Sequence, residues 1–294
     1  MYKIKHNQDL NVLEIENSKN NFNGKIYLND GASLQELTLN GHSIIQDLAP
    51  LTYNSTYASS ILFPFANRIK DGVYTYEGKE FQFERNQKEE DNALHGLVYN
   101  KTFKVVNQKT CNDSAEIILE YIENKIISGF PYTYGITLTY VFTQNNMSLK
   151  VSIKNTDSKS FPFTLGWHPY FISKNLHDSS LDFDASEKLI IGNRNITTGI
   201  KNIKPIKTFQ IKDKQLDDCW VLSSNTIKFN TPKYKLTINS SVKNNFLQVY
   251  TPPNANTIAI EPTTGVSDSF NNNIGLQVLK PNQSYHITWG LNIN

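Results

Sequence analysis

Hydrophobic and polar positions alternate in twos along most of the chain. Residues 103–106, 115–120, 136–142, 149–153, 234–238 and 246–250 are short runs rich in Ile, Val, Tyr, Phe and Thr. A period of two sends successive side chains to opposite faces of an extended backbone, so each run predicts a strand. Clusters of Asn, Asp, Gly, Pro and Lys separate them. Asn29-Asp30-Gly31, Asp71-Gly72, Glu77-Gly78-Lys79, Asn254-Ala255-Asn256 and Pro281-Asn282-Gln283 read as turns, because these residues tolerate tight or left-handed backbone. Apolar spacing of three and four is scarce, and the candidate helices are short, as around residues 33–37. The pattern predicts an all-β protein of many antiparallel strands.

No Pro/Gly/Ser-rich linker, charge run or shift in composition divides the 294 residues, which predicts a single domain over 1–294, a large sandwich or a barrel. The Lys-rich stretch 201–214 carries the weakest pattern and reads as a loop or edge strand with a solvated face. The longest apolar runs, such as Ile61-Leu62-Phe63-Pro64-Phe65-Ala66, fall far short of the roughly 18–20 residues of a membrane span. The first residues carry Lys and Asn and no signal-peptide core, so the expectation is a soluble, unexported, cytoplasmic protein.

Charge changes the picture more than size does. Only 19% of the residues are charged, against about a quarter in an average soluble protein. Asn, Ser, Thr, Gln and Tyr fill the difference. With 29 Lys+Arg against 27 Asp+Glu the net charge is +2, which removes nucleic acid as the default partner, because phosphate binding needs a clustered basic surface. A chain this long buries about three quarters of its unfolded surface and needs no staple. Cys111 and Cys219 accordingly read as separate buried or half-buried thiols, which points away from a disulfide and from redox chemistry, and metal-ligand spacing is absent.

Against so few charges, ionisable residues within apolar segments stand out. In Phe161-Pro162-Phe163-Thr164-Leu165-Gly166-Trp167-His168-Pro169-Tyr170-Phe171, alternation sets Phe161, Phe163, Leu165 and Trp167 on one face and His168 on the other with Gly166 and Thr164. In Thr257-Ile258-Ala259-Ile260-Glu261-Pro262, Ile258 and Ile260 share one face, Ala259 and Glu261 the other. Each titratable group is expected to end a strand, held extended by the following proline, with small neighbours leaving room for a ligand. The plainer alternatives are a core histidine satisfied by a backbone carbonyl and a surface carboxylate in a turn. Arg68, one of three arginines with Arg85 and Arg194, sits in Phe63-Pro64-Phe65-Ala66-Asn67-Arg68-Ile69, where its fork suits adjacent oxygens or an internal ion pair. His95 in Leu94-His95-Gly96 and the carboxylates of Leu216-Asp217-Asp218-Cys219-Trp220 are weaker signals, each by itself more readily read as a solvated turn.

Together these segments resemble the aldose 1-epimerase family, the galactose mutarotases. The resemblance rests on Phe65-Ala66-Asn67-Arg68-Ile69 with Gly72-Val73-Tyr74 and Gly78, on Leu94-His95-Gly96, on Gly166-Trp167-His168-Pro169-Tyr170-Phe171 and on Ile260-Glu261-Pro262-Thr263-Thr264, in that order, from about residue 25 to the closing Leu279-Lys280-Pro281 turn. It implies a large antiparallel β-sandwich that interconverts the α and β anomers of free aldohexoses without a cofactor or metal. Glu261 would be the general base at the anomeric hydroxyl and His168 the general acid at the ring oxygen. Arg68 and His95 would bind substrate oxygens, Asp217 or its neighbour Asp218 would accept from sugar hydroxyls, and Gln248 and Asn67 would contact or position the sugar. The implied partner is a small-molecule sugar, neither nucleic acid nor membrane, with the chain a monomer or homodimer. Phe63-Pro64-Phe65-Ala66 before Asn67 and the short span from Gln248 to Glu261 resemble a divergent bacterial branch, which leaves the sugar open. A branch acting on hexose 6-phosphates would want several cations, disfavoured by three arginines although lysines could supply them. A non-catalytic sugar-binding or sensor protein on the same sheet is the rival of a different class.

Overall fold

A computed structural model describes residues 1–243, 245–253 and 256–293. All named strand pairings are antiparallel. The first five strands, Tyr2–Asn7, Val12–Asn17, Asn23–Tyr27, Ser33–Leu39 and His42–Ile45, form a meander in chain order. A 15-stranded sheet takes in most of the remainder, running from strand Lys104–Thr110 through Ser114–Glu123, Tyr134–Thr143, Asn146–Asn155 and Ser284–Ile293 towards the Asp217–Leu222, Phe246–Tyr250 and Thr257–Thr263 strands.

The two-residue period does the sorting. In Tyr134–Thr143 every second residue is buried, so Tyr134, Ile136, Leu138, Tyr140 and Phe142 face inwards. The partner strand Asn146–Asn155 contributes Met147, Leu149, Val151 and Ile153 to the same layer. The N-terminal meander closes over this face: Phe22 packs on Phe142 with ring centroids 5.4 Å apart, and the Tyr140 hydroxyl donates to the Ala32 carbonyl at 2.9 Å. Each such aliphatic side chain removed from water stabilises the sandwich by about 1.5–3 kcal/mol. The all-β sandwich expected from the pattern is therefore the fold.

Three local expectations fail for identifiable reasons. Residues 33–37 are part of a strand, not a helix. Lys25 pairs with Glu36 and Ile26 with Leu34, so Gln35 is the extra residue of a bulge, and the bulge puts Leu34 and Leu37, three apart, on one face. Cys111 is exposed, while Cys219 is buried; neither is in a disulfide. Glu261 does not end its strand, which continues through Pro262 to Thr263. The 201–214 stretch falls mostly in Thr197–Gln210, an exposed edge strand paired with Ser180–Ile191, as one of the two expectations had it. Of the expected turns, Asn29-Asp30-Gly31, Asp71-Gly72 and Glu77-Gly78 are turns with positive φ at each glycine; Asn254 and Ala255 lie outside the described residues.

One glycine ties the fold to the site. Gly96 follows His95 at φ 77°, and the Leu97 N–H donates to the Phe63 carbonyl at 2.7 Å. A Cβ on Gly96 would stand 2.2 Å from the Phe63 carbonyl oxygen. Gly96→Ala is expected to lower stability by on the order of 2–3 kcal/mol, because both the left-handed φ and the backbone contact are lost. A urea midpoint equal to that of the parent chain would refute it.

Candidate active site

Cross-strand register builds the floor of one cavity of about 190 Å³. Residues facing each other across antiparallel strands point to the same side, and here Cys219 pairs with Gln248 and Gln248 with Glu261. The next row reads Asp217, Tyr250, Ala259, Tyr170. The diagonal between rows is closed by Gln248, whose Nε2 donates to Asp217 Oδ1 at 2.7 Å. Asp218 leaves by the opposite face and pairs with Lys188 at 2.5 Å, so Asp217 is the carboxylate that lines the cavity.

A two-stranded ribbon forms the facing wall. Arg68–Lys70 pairs with Asn92–Leu94, and the His95 N–H donates to the Asn67 carbonyl at 2.8 Å, each of these two residues in left-handed backbone. The Asp268 N–H donates to the Arg68 carbonyl at 2.6 Å, which pins the ribbon from below. Arg68 Nη1 donates to Asn67 Oδ1 at 2.9 Å, and Arg68 Nε to Glu90 Oε2 at 3.0 Å and Gln87 Oε1 at 3.1 Å. Rings then run along the wall. Tyr57 and His95, His95 and His168, and His168 and Tyr170 are each 4.9 Å apart between centroids. The His168 backbone is held by Ser60, whose carbonyl accepts its N–H at 3.1 Å, and by Ser59, whose N–H donates to its carbonyl at 2.7 Å.

All seven residues singled out in the sequence, Asn67, Arg68, His95, His168, Asp217, Gln248 and Glu261, line this cavity. His168 Nε2 stands 3.6 Å from Glu261 Oε1. Glu261 is no surface carboxylate in a turn, since it lies within a strand at 3% exposure, and the His168 ring is buried beside it. Arg68 forms the internal ion pair expected as its alternative, with Glu90, and also lines the cavity. The room expected on the small-residue face of His168 is not at Gly166. Gly166 is small because Leu62, Ala66 and Thr263 pack within 3.0–3.3 Å of its Cβ position. Tyr57, Gln87, Tyr170 and Tyr250 also line the cavity and were not singled out. Tyr170 and Tyr250 stand two residues beyond His168 and Gln248, a spacing that marks them; Tyr57 and Gln87 arrive from loops and carry no local signal. Among the described residues, no group of three or more His, Cys, Asp or Glu side chains gathers as metal ligands.

The sequence matches the aldose 1-epimerase family over residues 12–291. The chain belongs to that family. A protein of Escherichia coli K12, YihR, is 20% identical over 278 residues, spanning 89% of this chain and 87% of its own. Among solved structures, a galactose mutarotase-like protein from Clostridium acetobutylicum superposes with a TM-score of 0.85 at 17% identity, covering 100% of this chain and 98% of the other. Galactose 1-epimerase from Lactobacillus acidophilus does so with a TM-score of 0.80 at 17% identity, again over 100% and 98%. Identities this low carry the galactose mutarotase-like fold. No helix among the described residues is long and apolar enough to cross a membrane.

In this member of the aldose 1-epimerase family, burial governs ionisation. Desolvation lowers His168 to about 3 and pushes Glu261 well above its ordinary 4.5, the latter helped by Asp217 and opposed by the Arg68 guanidinium. Burial, and then the neighbouring His168 ring and the Arg68 guanidinium, depress His95 well below its usual range. Asp217 is raised, chiefly by burial, and is held down in part by Arg68. Burial therefore biases the pair towards its neutral forms, the carboxylic acid and the unprotonated imidazole. Mutual attraction would favour the opposite arrangement, a carboxylate beside an imidazolium; desolvation of both groups opposes it.

This has an observable consequence. Between 4.5 and 6.5, the ordinary values of the two groups, the unfolded chain holds its proton on histidine, whereas burial in the folded chain disfavours that proton and favours one on the carboxyl. The two groups therefore give stability slopes of opposite sign with pH, which oppose each other in the parent chain. His168→Asn leaves only the raised carboxyl, whose contribution is present below 4.5 and lost as pH rises. Glu261→Gln leaves only the depressed imidazole, whose contribution is present above 6.5 and lost as pH falls towards about 3. Relative to the parent chain, the two variants should therefore tilt in opposite directions, each by up to about 1.4 kcal/mol per pH unit. Urea unfolding at stepped pH measures this, and parallel profiles would overturn the assignment.

Proposed function

We propose that this protein is an aldose 1-epimerase that interconverts the α and β anomers of a free aldohexose. The observation that carries the proposal is the Glu261–His168 pair, 3.6 Å apart and 3–4% exposed, in a cavity whose remaining lining is mostly hydroxyls, amides and rings beside Asp217 and Arg68. Anomerisation needs a group that accepts the proton of the anomeric hydroxyl while another donates one to the ring oxygen. A buried acid/base pair that exchanges a single proton supplies both.

In the ring-opening direction, Glu261 as carboxylate takes the proton from the anomeric hydroxyl. The bond from the anomeric carbon to the ring oxygen breaks, and His168 as imidazolium protonates that oxygen. The pair ends as carboxylic acid and neutral imidazole, the forms that burial favours. Desolvation thus lowers the cost of the open-chain stage relative to the cyclic one. The aldehyde turns about its bond to the next carbon and closes with the proton transfers reversed. Asp217 and Gln248, already bonded to each other, offer acceptors and donors to the sugar hydroxyls, and Arg68, Asn67 and His95 do so from the facing wall. Tyr57, Tyr170 and Tyr250 supply ring edges and faces for the apolar side of the sugar.

The lining contains no lysine and a single arginine, which Glu90 already neutralises. A phosphoryl group brings about −1.5 to −2 charge and would need unpaired cations there, so the free sugar is favoured over a hexose 6-phosphate. A purely binding protein has no use for a desolvated acid/base pair, whose burial is costly.

Polarimetry or NMR of freshly dissolved α-glucose and α-galactose should show anomerisation faster than the spontaneous rate, with the 6-phosphates no better than the free sugars. Glu261→Gln and His168→Asn should each cut turnover by about 10² to 10⁴ while leaving the fold intact. A spontaneous rate unchanged by the protein, in the presence of measurable sugar binding, would leave a sensor instead of an enzyme.

A further inference from the structure

Two of the chain's three arginines have no task in the cavity, yet all three guanidinium groups meet residues 87–91, in the loop that leads to His95. Arg68 Nε donates to Glu90 Oε2 and Gln87 Oε1. Arg85 Nη1 donates to Asp91 Oδ2 at 2.6 Å on an exposed rim. Arg194 arrives from the opposite side, at the tip of the hairpin between strands Ser180–Ile191 and Thr197–Gln210, in left-handed backbone at φ 60°. Its Nε donates to the Glu90 carbonyl at 2.6 Å. Its Nη2 donates to the Asp91 carbonyl at 2.6 Å and to Asn92 Oδ1 at 2.9 Å, and its Nη1 to Asp71 Oδ1 at 2.8 Å. Asn92 Nδ2 returns a bond to the Arg194 carbonyl at 3.2 Å. The adjacent Asn195 Nδ2 donates to Glu90 Oε1 at 2.8 Å. Glu90 therefore gives one carboxylate oxygen to Arg68 and the other to Asn195.

We propose that Arg194, Asn195 and Glu90 form a positioning assembly that fixes the Arg68 guanidinium at the cavity wall. An unsupported arginine would have to be ordered at the moment the sugar binds, at the expense of affinity. Here that ordering is done when the chain folds. Glu90 also cancels the charge of Arg68, so the cavity presents an aimed donor fork to a neutral sugar instead of a free cation. Arg194 suits the anchoring end because its planar fork reaches four acceptors at once on two segments, Asp71 after the Arg68 strand and residues 90–92 leading into the Asn92–Leu94 strand. A lysine ammonium has neither the reach nor the fixed geometry for that. Only the kinetic part of the test rests on the epimerase reading.

With three arginines in the chain, the arginine Nε–H region of a 15N-resolved NMR spectrum holds at most three signals, each assignable by substitution. Glu90→Gln, which keeps the side-chain shape, and Arg194→Lys should each shift the Arg68 Nε–H signal and speed its exchange with water by about tenfold or more, as a buried charged hydrogen bond is lost. Arg85→Ala, at the rim, should leave that signal in place. In anomerisation kinetics both variants should raise KM about tenfold with kcat changed by less than about threefold, the mark of lost uniform binding. If Arg194→Lys does not fold, Asn195→Ala takes its place beside Glu90→Gln. An Arg68 signal unmoved in the folded variants, or a fall in kcat at constant KM, would overturn the assembly. If the parent chain proves inactive, the epimerase reading falls, and the Nε–H signals still decide whether the assembly exists.

Discussion

Glu261, Gln248 and Cys219 stand opposite one another across three antiparallel strands, with Ala259, Tyr250 and Asp217 in the adjoining row. A slip of one residue in any of these strands would turn its cavity-facing side chains to the other face. Ile258 and Ile260, or Val249 and Leu247, would then line the cavity, and Glu261 or Gln248 would enter the hydrophobic core. Register is secured by the cost of that exchange. The same alternation that packs Ile258, Ile260, Leu247 and Val249 into the main core delivers the polar row to the cavity. Core packing and site assembly are thus one constraint, and the site inherits the rigidity of the sheet.

Desolvation is the second consequence of building a site on a buried floor. Glu261, His168 and His95 are all nearly withdrawn from water, and each is driven towards its neutral form. Charge is admitted at the facing wall, where the Arg68 guanidinium sits between Glu90 and the cavity and moderates both Asp217 and Glu261. The Arg68 guanidinium has its counterpart in Glu90, and Glu261 Oε1 lies 3.6 Å from His168 Nε2. Uncharged polar side chains and tyrosines make up most of the remaining lining.

The walls depend on segments far apart in the chain. Tyr57 leads out of a single helical turn, Gln87 and Glu90 come from the loop before His95, and Arg194 from a hairpin about a hundred residues later. Nothing in the local pattern of residues 84–92 or 192–195 announces a contact between them. Both read as polar connections, because their hydrogen bonds are satisfied by partners that only folding brings near.

Much was legible in the residues themselves. Alternation in 136–142 sufficed for a strand, since a half-buried sheet imposes that period on any sequence that forms it. The motifs around Asn67, His95, His168 and Glu261 pointed to one family, and all seven singled-out side chains meet around one cavity. Where short-range pattern misled, a non-local pairing was the reason. The bulge at Gln35 gives a strand the apolar spacing of a helix, and Gly166 is small for the sake of Leu62 and Thr263, not for a ligand. What only the tertiary structure decided is relational. It put Asp217 and not Asp218 in the cavity lining, raised Glu261 and lowered His168 through burial, and joined Arg194 to Arg68 through Glu90. Sequence order determines which face of a strand a side chain takes, whereas burial and partner choice depend on what the rest of the chain packs against that face.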